Sequence, residues 1–164
     1  MYSDTQLEQM VPHLKYEINE FRRSLKDLPG TRDKPEWNRT LESVLLHFRA
    51  LRAFFFSEGT NPDSDVFASH YVSGWKPVRD LVFHQTKVAI DKTVAHLTIE
   101  RLQSDSVQWR ELDAMSSAIE RLILDFKNAL PTPREKWFVD LDAAVDTPVV
   151  VAVFVHADNS TVSR

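Results

Sequence analysis

The residues best suited to chemistry lie in an apolar stretch, residues 90–102, that has helical spacing. Lys92, His96 and Glu100 follow one another at four-residue intervals, so they share one stripe of that helix. Histidine is the only side chain that titrates near neutral pH without help from its surroundings. His96 is therefore the best single candidate for a general acid or base. The alternative is a core histidine whose role is one hydrogen bond to a carboxylate.

A second apolar stretch, residues 41–56, also carries polar side chains. Glu42 and Arg49 are seven positions apart, about two helical turns, so they share a face. His47 lies about 200° round the helix from Arg49, and Arg52 follows Arg49 by about one turn. These residues could line a binding surface. Alternatively, Glu42 and the arginines form internal ion pairs with neighbouring helices, because buried ions are commonly paired, or they reach solvent at the helix ends.

Both stretches are apolar around nearly their whole circumference, which predicts that both helices run through the middle of the molecule. A charged side chain in such a helix needs a partner, because its transfer alone out of water is costly. We therefore expect the polar residues of the two helices to meet, with Glu42, Arg49, Asp91 and His96 in one connected cluster.

Motifs for several other kinds of site are absent from the sequence. It contains no cysteine and no helical His-x-x-x-His or Glu-x-x-His pair, so we predict no metal site. No Gly-x-Ser-x-Gly elbow, phosphate-binding loop or dinucleotide-binding motif occurs. We accordingly predict no cofactor.

Composition predicts a single globular domain. The 164 residues are 43% hydrophobic and 27% charged, which is ordinary for a folded domain. The net charge of −4 gives no overall attraction to nucleic acid. The lack of cysteine fits a reducing cytoplasm, and no apolar run reaches the ~20 residues of a membrane span. We expect a cytoplasmic protein without membrane contact.

Apolar spacing and turn residues predict an all-α fold, an up-and-down bundle of four or five helices in residues 1–145. Pro12 suits a first turn, so the regular part of the first helix should begin near Val11 or kink there. The loop after the second helix contains a segment too apolar for solvent, which we interpret as a packed excursion or short helical turn. The predicted helices are 5–28, 35–57, one from about 77 to 103 with a break near 83–86, 107–129, and 133–145; the packed segment is 66–75.

Two further segments bear on assembly. The aromatic run 54–56 and Trp75 are more typical of a core or a dimer interface than of a base-stacking platform, and this surplus of apolar surface predicts a homodimer. Residues 146–164 form a non-helical C-terminal segment, either a strand, an extended arm over the body or an adventitious tail. A lone strand would need a partner, such as its copy in a dimer.

The segments 47–51 (HFRAL) and 91–98 (DKTVAHLT) resemble those of small uncharacterised bacterial proteins related to the HEPN superfamily. The resemblance covers roughly residues 5–130. It implies a short helical bundle that is usually a homodimer. Many members are metal-independent ribonucleases of toxin–antitoxin, phage-defence and CRISPR systems, and others bind nucleotides or proteins.

The active motif of that family is an arginine, a polar residue, and a histidine four to six positions after the arginine. On this sequence His96 stands at the histidine, and Asp91 takes the arginine position with Lys92 beside it. Cleavage of RNA through its own 2′-hydroxyl needs an acid or base and a cation for the developing phosphorane charge. His96 and Lys92 are the candidates for these roles. Arg49 or Arg101 could replace the missing guanidinium, but Arg101 lies about 140° round the helix from His96.

Three functions remain open. The first is a HEPN-like binding or regulatory protein without catalysis, in stress response or defence, with RNA or a nucleotide as its ligand. The second is a degenerate ribonuclease that uses His96 and Lys92, and the third is a scaffold with only structural polar pairs. The missing arginine and the net acidity favour the first. Its candidate binding residues are Glu42, His47, Arg49, Asp91 and Arg101.

Overall fold

The protein is all-α, as the sequence predicts, in the part of the chain that the structure describes. The computed structural model describes residues 2–31, 33–59, 61, 64–90 and 109–141, with the backbone alone at 87–90, 109 and 110. The helices are α1 (Asp4–Asp27), α2 (Lys34–Phe56), α3 (Ala68–Tyr71), α4 (Leu81–Ile90), α5 (Trp109–Ala129) and α6 (Thr132–Glu135). The C-terminal segment 146–164 lies outside the described residues.

Helix α1 begins earlier than Pro12 suggested. Ser3 caps the helix by accepting from the Gln6 backbone N–H, while the Gln6 side chain accepts from the Ser3 N–H. Pro12 lies inside the helix, so a regular start near Val11 is wrong, whereas the predicted span 5–28 agrees with Asp4–Asp27. Pro12 cannot bond the carbonyl of Glu8, but both residues lie on the exposed side of α1, where water can bind that carbonyl.

Helices α1 and α2 form an antiparallel hairpin. Ser24 pairs with Ser43 through their hydroxyls at 2.8 Å, and the rings of Phe21 and Phe48 lie 6.2 Å apart. Helix α2 begins after Asp33, whose carboxylate accepts from the Glu36 N–H at 2.7 Å.

In the part of the chain that the structure describes, helix α2 is not covered by protein on all sides, so the prediction that it runs through the middle of the molecule is wrong there. Glu42, Leu46 and Arg49 form an exposed face, and the Leu46 side chain is 58% exposed. These residues recur at i, i+4 and i+7, which is one stripe of a helix. The neighbouring helices cover the opposite side, where Val44 and Phe48 are fully buried. Within the described residues, α2 is thus amphipathic.

The apolar segment after α2 packs on the core as predicted. It contains α3, whose Ala68 and Tyr71 are buried, and the Tyr71 hydroxyl donates to the Leu7 carbonyl at 2.9 Å. The aromatic run belongs to this core, because Phe55 is buried and Phe54 and Phe56 pack against it. One aromatic cluster joins α2, the α3 segment, α5 and the turn after α6: Phe54, Phe55, Tyr71, Trp75, Phe126 and Phe138.

The remaining helices agree in part with prediction. Helix α4 is continuous over residues 81–90, so the predicted break near 83–86 is absent. Helix α5 buries the whole predicted stripe: Leu112, Met115, Ile119, Leu122, Ile123 and Phe126. The predicted helix 133–145 is shorter, because α6 passes into a 3-10 turn at Lys136–Phe138. No helix in the described ranges has the length and apolarity needed to cross a membrane.

Candidate functional site

Three of the seven predicted site residues are in the described part of the chain. They are Glu42, His47 and Arg49, all on α2. The other four, Asp91, Lys92, His96 and Arg101, lie outside the described residues. The connected cluster of Glu42, Arg49, Asp91 and His96 therefore stays a prediction.

His47 is held by a carboxylate from the neighbouring helix. Its Nδ1 lies 2.7 Å from Oε2 of Glu17 on α1, and the ring of Tyr16 meets the imidazole edge-on with centroids 5.9 Å apart. A carboxylate only accepts hydrogen bonds, so Nδ1 carries the proton and donates it. When the imidazole is neutral, its Nε2 is the acceptor.

Burial determines what this pair can do. A carboxylate at Nδ1 fixes the tautomer and orientation of a histidine, an arrangement common in general bases and in structural pairs alike. His47 is only 8% exposed, so a substrate has little access to its ring. The arrangement therefore fits a structural link between α1 and α2 better than an open catalytic base.

Glu42 and Arg49, in contrast, are exposed on the stripe of α2 that also carries Leu46. They lie on a different side of the helix from buried His47, as the angular offset of about 200° from Arg49 predicts. The three candidate residues of α2 therefore do not converge on one point. Glu42 and Arg49 remain accessible for contact with another molecule.

Arg52 makes the internal ion pair that was one of the two sequence interpretations. It is buried, and its Nε lies 3.3 Å from Oε2 of Glu58, just beyond the end of α2. The other oxygen of Glu58 accepts from Nη1 of Arg79 at 2.8 Å, and the Arg79 guanidinium lies 4.8 Å from the centroid of the Phe56 ring. Glu58 thus links the end of α2 to the segment before α4.

A second histidine with a defined environment, His70, was missed from the sequence. Its Nδ1 accepts from the backbone N–H of Phe67 at 3.0 Å, and its ring lies between those of Tyr2 and Phe67. The pKa of His70 is lower than its usual 6.5, mainly because burial disfavours the charged ring. No sequence signal pointed to it, because Phe67 has no side-chain acceptor and Phe-x-x-His is not a capping-box pattern.

The phenol next in sequence is strongly perturbed. Burial raises the pKa of Tyr71 to about 12, against the opposing effect of the Arg134 charge. Arg134 donates to the carbonyls of His70 and Tyr71 at 2.8 and 2.7 Å and pairs with Asp4 at 2.5 Å. The Tyr71 hydroxyl is therefore a neutral hydrogen-bond donor at physiological pH. Arg134 connects α3 to Asp4, so residues near the two ends of the described chain are in contact.

The described ranges contain no group of three or more His, Asp or Glu side chains that could hold a metal ion. No family model, curated protein or solved structure matches this chain.

Proposed function

We propose that the protein is a HEPN-like helical protein that binds or regulates without catalysis, in stress response or defence. The observation that carries the proposal is the burial of His47 and its contact with Glu17. His47 belongs to one of the two segments that resemble that superfamily. His47 is buried and held by Glu17, so it supports the fold rather than a reaction. The proposal includes a cytoplasmic location, which rests on the cysteine-free sequence.

The ligand proposed is RNA or a nucleotide, as the resemblance implies. Arg49 on the exposed face of α2 and Arg101 are the candidate phosphate contacts, because guanidinium groups bind phosphate in a bidentate manner. The net charge of −4 requires such contacts to be local.

Fluorescence anisotropy with a labelled single-stranded RNA, with ATP as competitor, tests the binding. We expect Arg49→Ala to weaken binding and to reduce its salt dependence. Arg23→Ala is the matched control, because Arg23 is an exposed arginine of α1 paired with Glu20. Equal losses in the two variants, or no binding by the wild type, would exclude this ligand.

Cleavage of single-stranded RNA in the presence of EDTA tests the absence of catalysis. We expect the wild type, His96→Ala and Lys92→Ala to show the same background. A lysine lacks the bidentate fork of arginine, and loss of one such electrostatic contact costs about 10²–10³ in rate. Wild-type cleavage that His96→Ala abolishes, with an unchanged thermal melt, would instead support a ribonuclease that uses His96 and Lys92.

The homodimer is part of the same proposal. Phe54, Phe55 and Trp75 pack within one chain, so they do not form a dimer interface. The exposed side chains of Leu46 and Tyr16 support a homodimer better. A stable interface buries about 1,200–2,000 Å² in total. Light scattering should give twice the chain mass of 19.0 kDa at micromolar concentration, and Leu46→Asp should lower it. A wild-type mass of one chain would refute the dimer.

A further inference from the structure

His70 binds the loop in front of α3 through an acceptor that is lost when the ring is protonated. Its Nδ1 accepts from the backbone N–H of Phe67 at 3.0 Å, and its own backbone N–H donates to the Phe67 carbonyl at 3.0 Å. A protonated imidazole carries an N–H donor on both nitrogens. Protonation therefore leaves two donors facing each other where the side-chain contact was.

The same ring also contacts the N-terminal end of the described chain. The imidazole lies between the Tyr2 ring, which meets it edge-on with centroids 5.1 Å apart, and the Phe67 ring, which stacks on it at 5.5 Å. The Tyr2 hydroxyl lies 3.5 Å from the carbonyl oxygen of Asp65 in the loop. We call residues 2–3 and 64–67 the latch. Both parts of the latch contact the imidazole.

Contacts that do not involve the imidazole bound the latch. Asp4 pairs with Nη2 of Arg134 at 2.5 Å, and Nη1 of Arg134 donates to the carbonyls of His70 and Tyr71 at 2.8 and 2.7 Å. The Tyr71 hydroxyl donates to the Leu7 carbonyl at 2.9 Å. These contacts connect α1, α3 and the segment after α5 without the His70 ring, so they persist when its protonation state changes.

Charged groups of each neighbouring element determine how readily His70 binds a proton. They are the guanidinium of Arg134, the carboxylates of Asp4 in α1 and Asp65 in the loop, and the N-terminal amine. Asp4 is paired with Arg134, and Asp65 accepts from the Asn61 N–H at 2.9 Å. Burial, and to a smaller extent the amine, hold the pKa of His70 below 6.5. The ring therefore binds a proton more readily when the latch is open.

We propose that protonation of His70 opens the latch while the helices stay folded. Opening releases Tyr2 and Val66, which pack against the core, together with half-buried Phe67. The fold thus contains a switch that exposes apolar surface as the pH falls below about 6.5. The switch is independent of the proposed function.

Hydrogen–deuterium exchange of the full chain, read by mass spectrometry at about pH 7.5 and about pH 5.5, tests the latch. Protection factors correct for the intrinsic effect of pH on exchange. For peptides that cover residues 64–67, they should be about threefold to tenfold lower at the lower pH, because an exposed histidine is then about tenfold more protonated than neutral. Peptides of α5 should keep their protection. An equal loss in α5, or no loss at 64–67, would overturn the proposal.

Two substitutions separate the charge of His70 from its hydrogen bond. His70→Asn keeps an acceptor and does not titrate, so the latch should be equally protected at both pH values. His70→Lys has no acceptor and stays positive, so the latch should be open at both. His84→Asn, at an exposed position of α4, is the matched control and should follow the wild type.

The protection of α5 shows in each variant that the helices are folded. A pH response in His70→Asn as large as that of the wild type would contradict the role of His70. A latch in His70→Lys as protected as the wild-type latch at the higher pH would do the same.

Discussion

Glu17 and His47 show how one contact can give a structural role to a polar side chain that the sequence offered as a binding residue. The imidazole is polar and buried, so it needs a hydrogen-bond partner from its surroundings. Glu17 supplies that partner from the opposite helix of the hairpin at 2.7 Å. The pair therefore orders the packing of α1 against α2.

Removing Glu17 should destabilise the fold. In Glu17→Ala the buried Nδ1–H of His47 loses its acceptor, and an unsatisfied buried polar group costs about 1–3 kcal/mol. Glu42→Ala removes an exposed glutamate of α2 and should change stability by less than about 0.5 kcal/mol. Urea denaturation compares the two variants. Similar midpoints would show that the Glu17–His47 contact contributes little.

His70 should make stability depend on pH. Its pKa in the folded protein is lower than 6.5, because burial disfavours the charged ring. The unfolded chain therefore binds the proton more readily, and the free energy of unfolding should fall as pH falls below about 6.5. Above that pH the contribution is fully present.

Denaturation at several pH values between 5 and 8 measures this dependence. His70→Asn should flatten it, because asparagine can accept from the Phe67 N–H and does not titrate. His84→Asn, at an exposed position of α4, controls for the loss of a histidine. A curve for His70→Asn as steep as that of the wild type would contradict the assignment.

At the scale of elements, the turn after α2 combines a left-handed residue with a close backbone approach. Ser57 ends the helix in the left-handed conformation, with φ 55°. The chain then bends back, and Asp65 accepts from the Asn61 N–H at 2.9 Å. A Cβ on Gly59 would overlap the Asp65 carboxylate and lie 2.6 Å from the Phe67 ring.

Gly59→Ala should therefore destabilise the protein by about 1–3 kcal/mol, the usual cost of overpacking. Gly30→Ala is the matched control, since a Cβ at that position meets nothing within 4 Å. Thermal melts should show a clear loss for Gly59→Ala and little change for Gly30→Ala. A smaller loss of stability in Gly59→Ala than in Gly30→Ala would mean that the turn accommodates the added methyl group without destabilising the fold.

Helix positions could be predicted from the sequence because apolar spacing is a local property. The stripe of α5 and the ends of α2 needed only residues near one another in the chain. The exposure of Glu42 and Leu46 could not be predicted in this way, because it depends on how many helices surround α2. The Glu17–His47 contact depends on the register of the hairpin, and Arg52–Glu58 on the reversal at Ser57. These features follow from packing between elements.

At the scale of the whole molecule, two arginines join distant parts of the chain. Arg22 links α1 to Glu120 on α5 and to the Leu141 carbonyl, and its side chain is largely buried. Arg134 links Asp4 to the end of α3. The contact of Arg22 with Glu120 is bidentate and charge-assisted, and such contacts are stronger than ordinary surface ion pairs.

A double-mutant cycle on Arg22→Ala and Glu120→Ala should give a coupling energy of about 1–3 kcal/mol. The control cycle uses Lys15 and Asp140, an ion pair of 3.8 Å with an exposed carboxylate, and should give less than about 0.5 kcal/mol. Chemical denaturation supplies all the values. Equal coupling in both cycles would place the Arg22 contact among ordinary surface pairs.

The separation of these contacts along the chain has a consequence for synthesis. Ser24 and Ser43 are 19 positions apart, but Asp4 and Arg134 are 130 apart. At about 5–20 residues per second, the ribosome makes Arg134 roughly 7–26 s after Asp4. Until α5 is made, α1 has only α2 and the segment that contains α3 to cover its apolar stripe. We expect ribosome-bound chains arrested at residue 90 to be cut rapidly by protease and to bind nascent-chain chaperones, unlike released full-length protein.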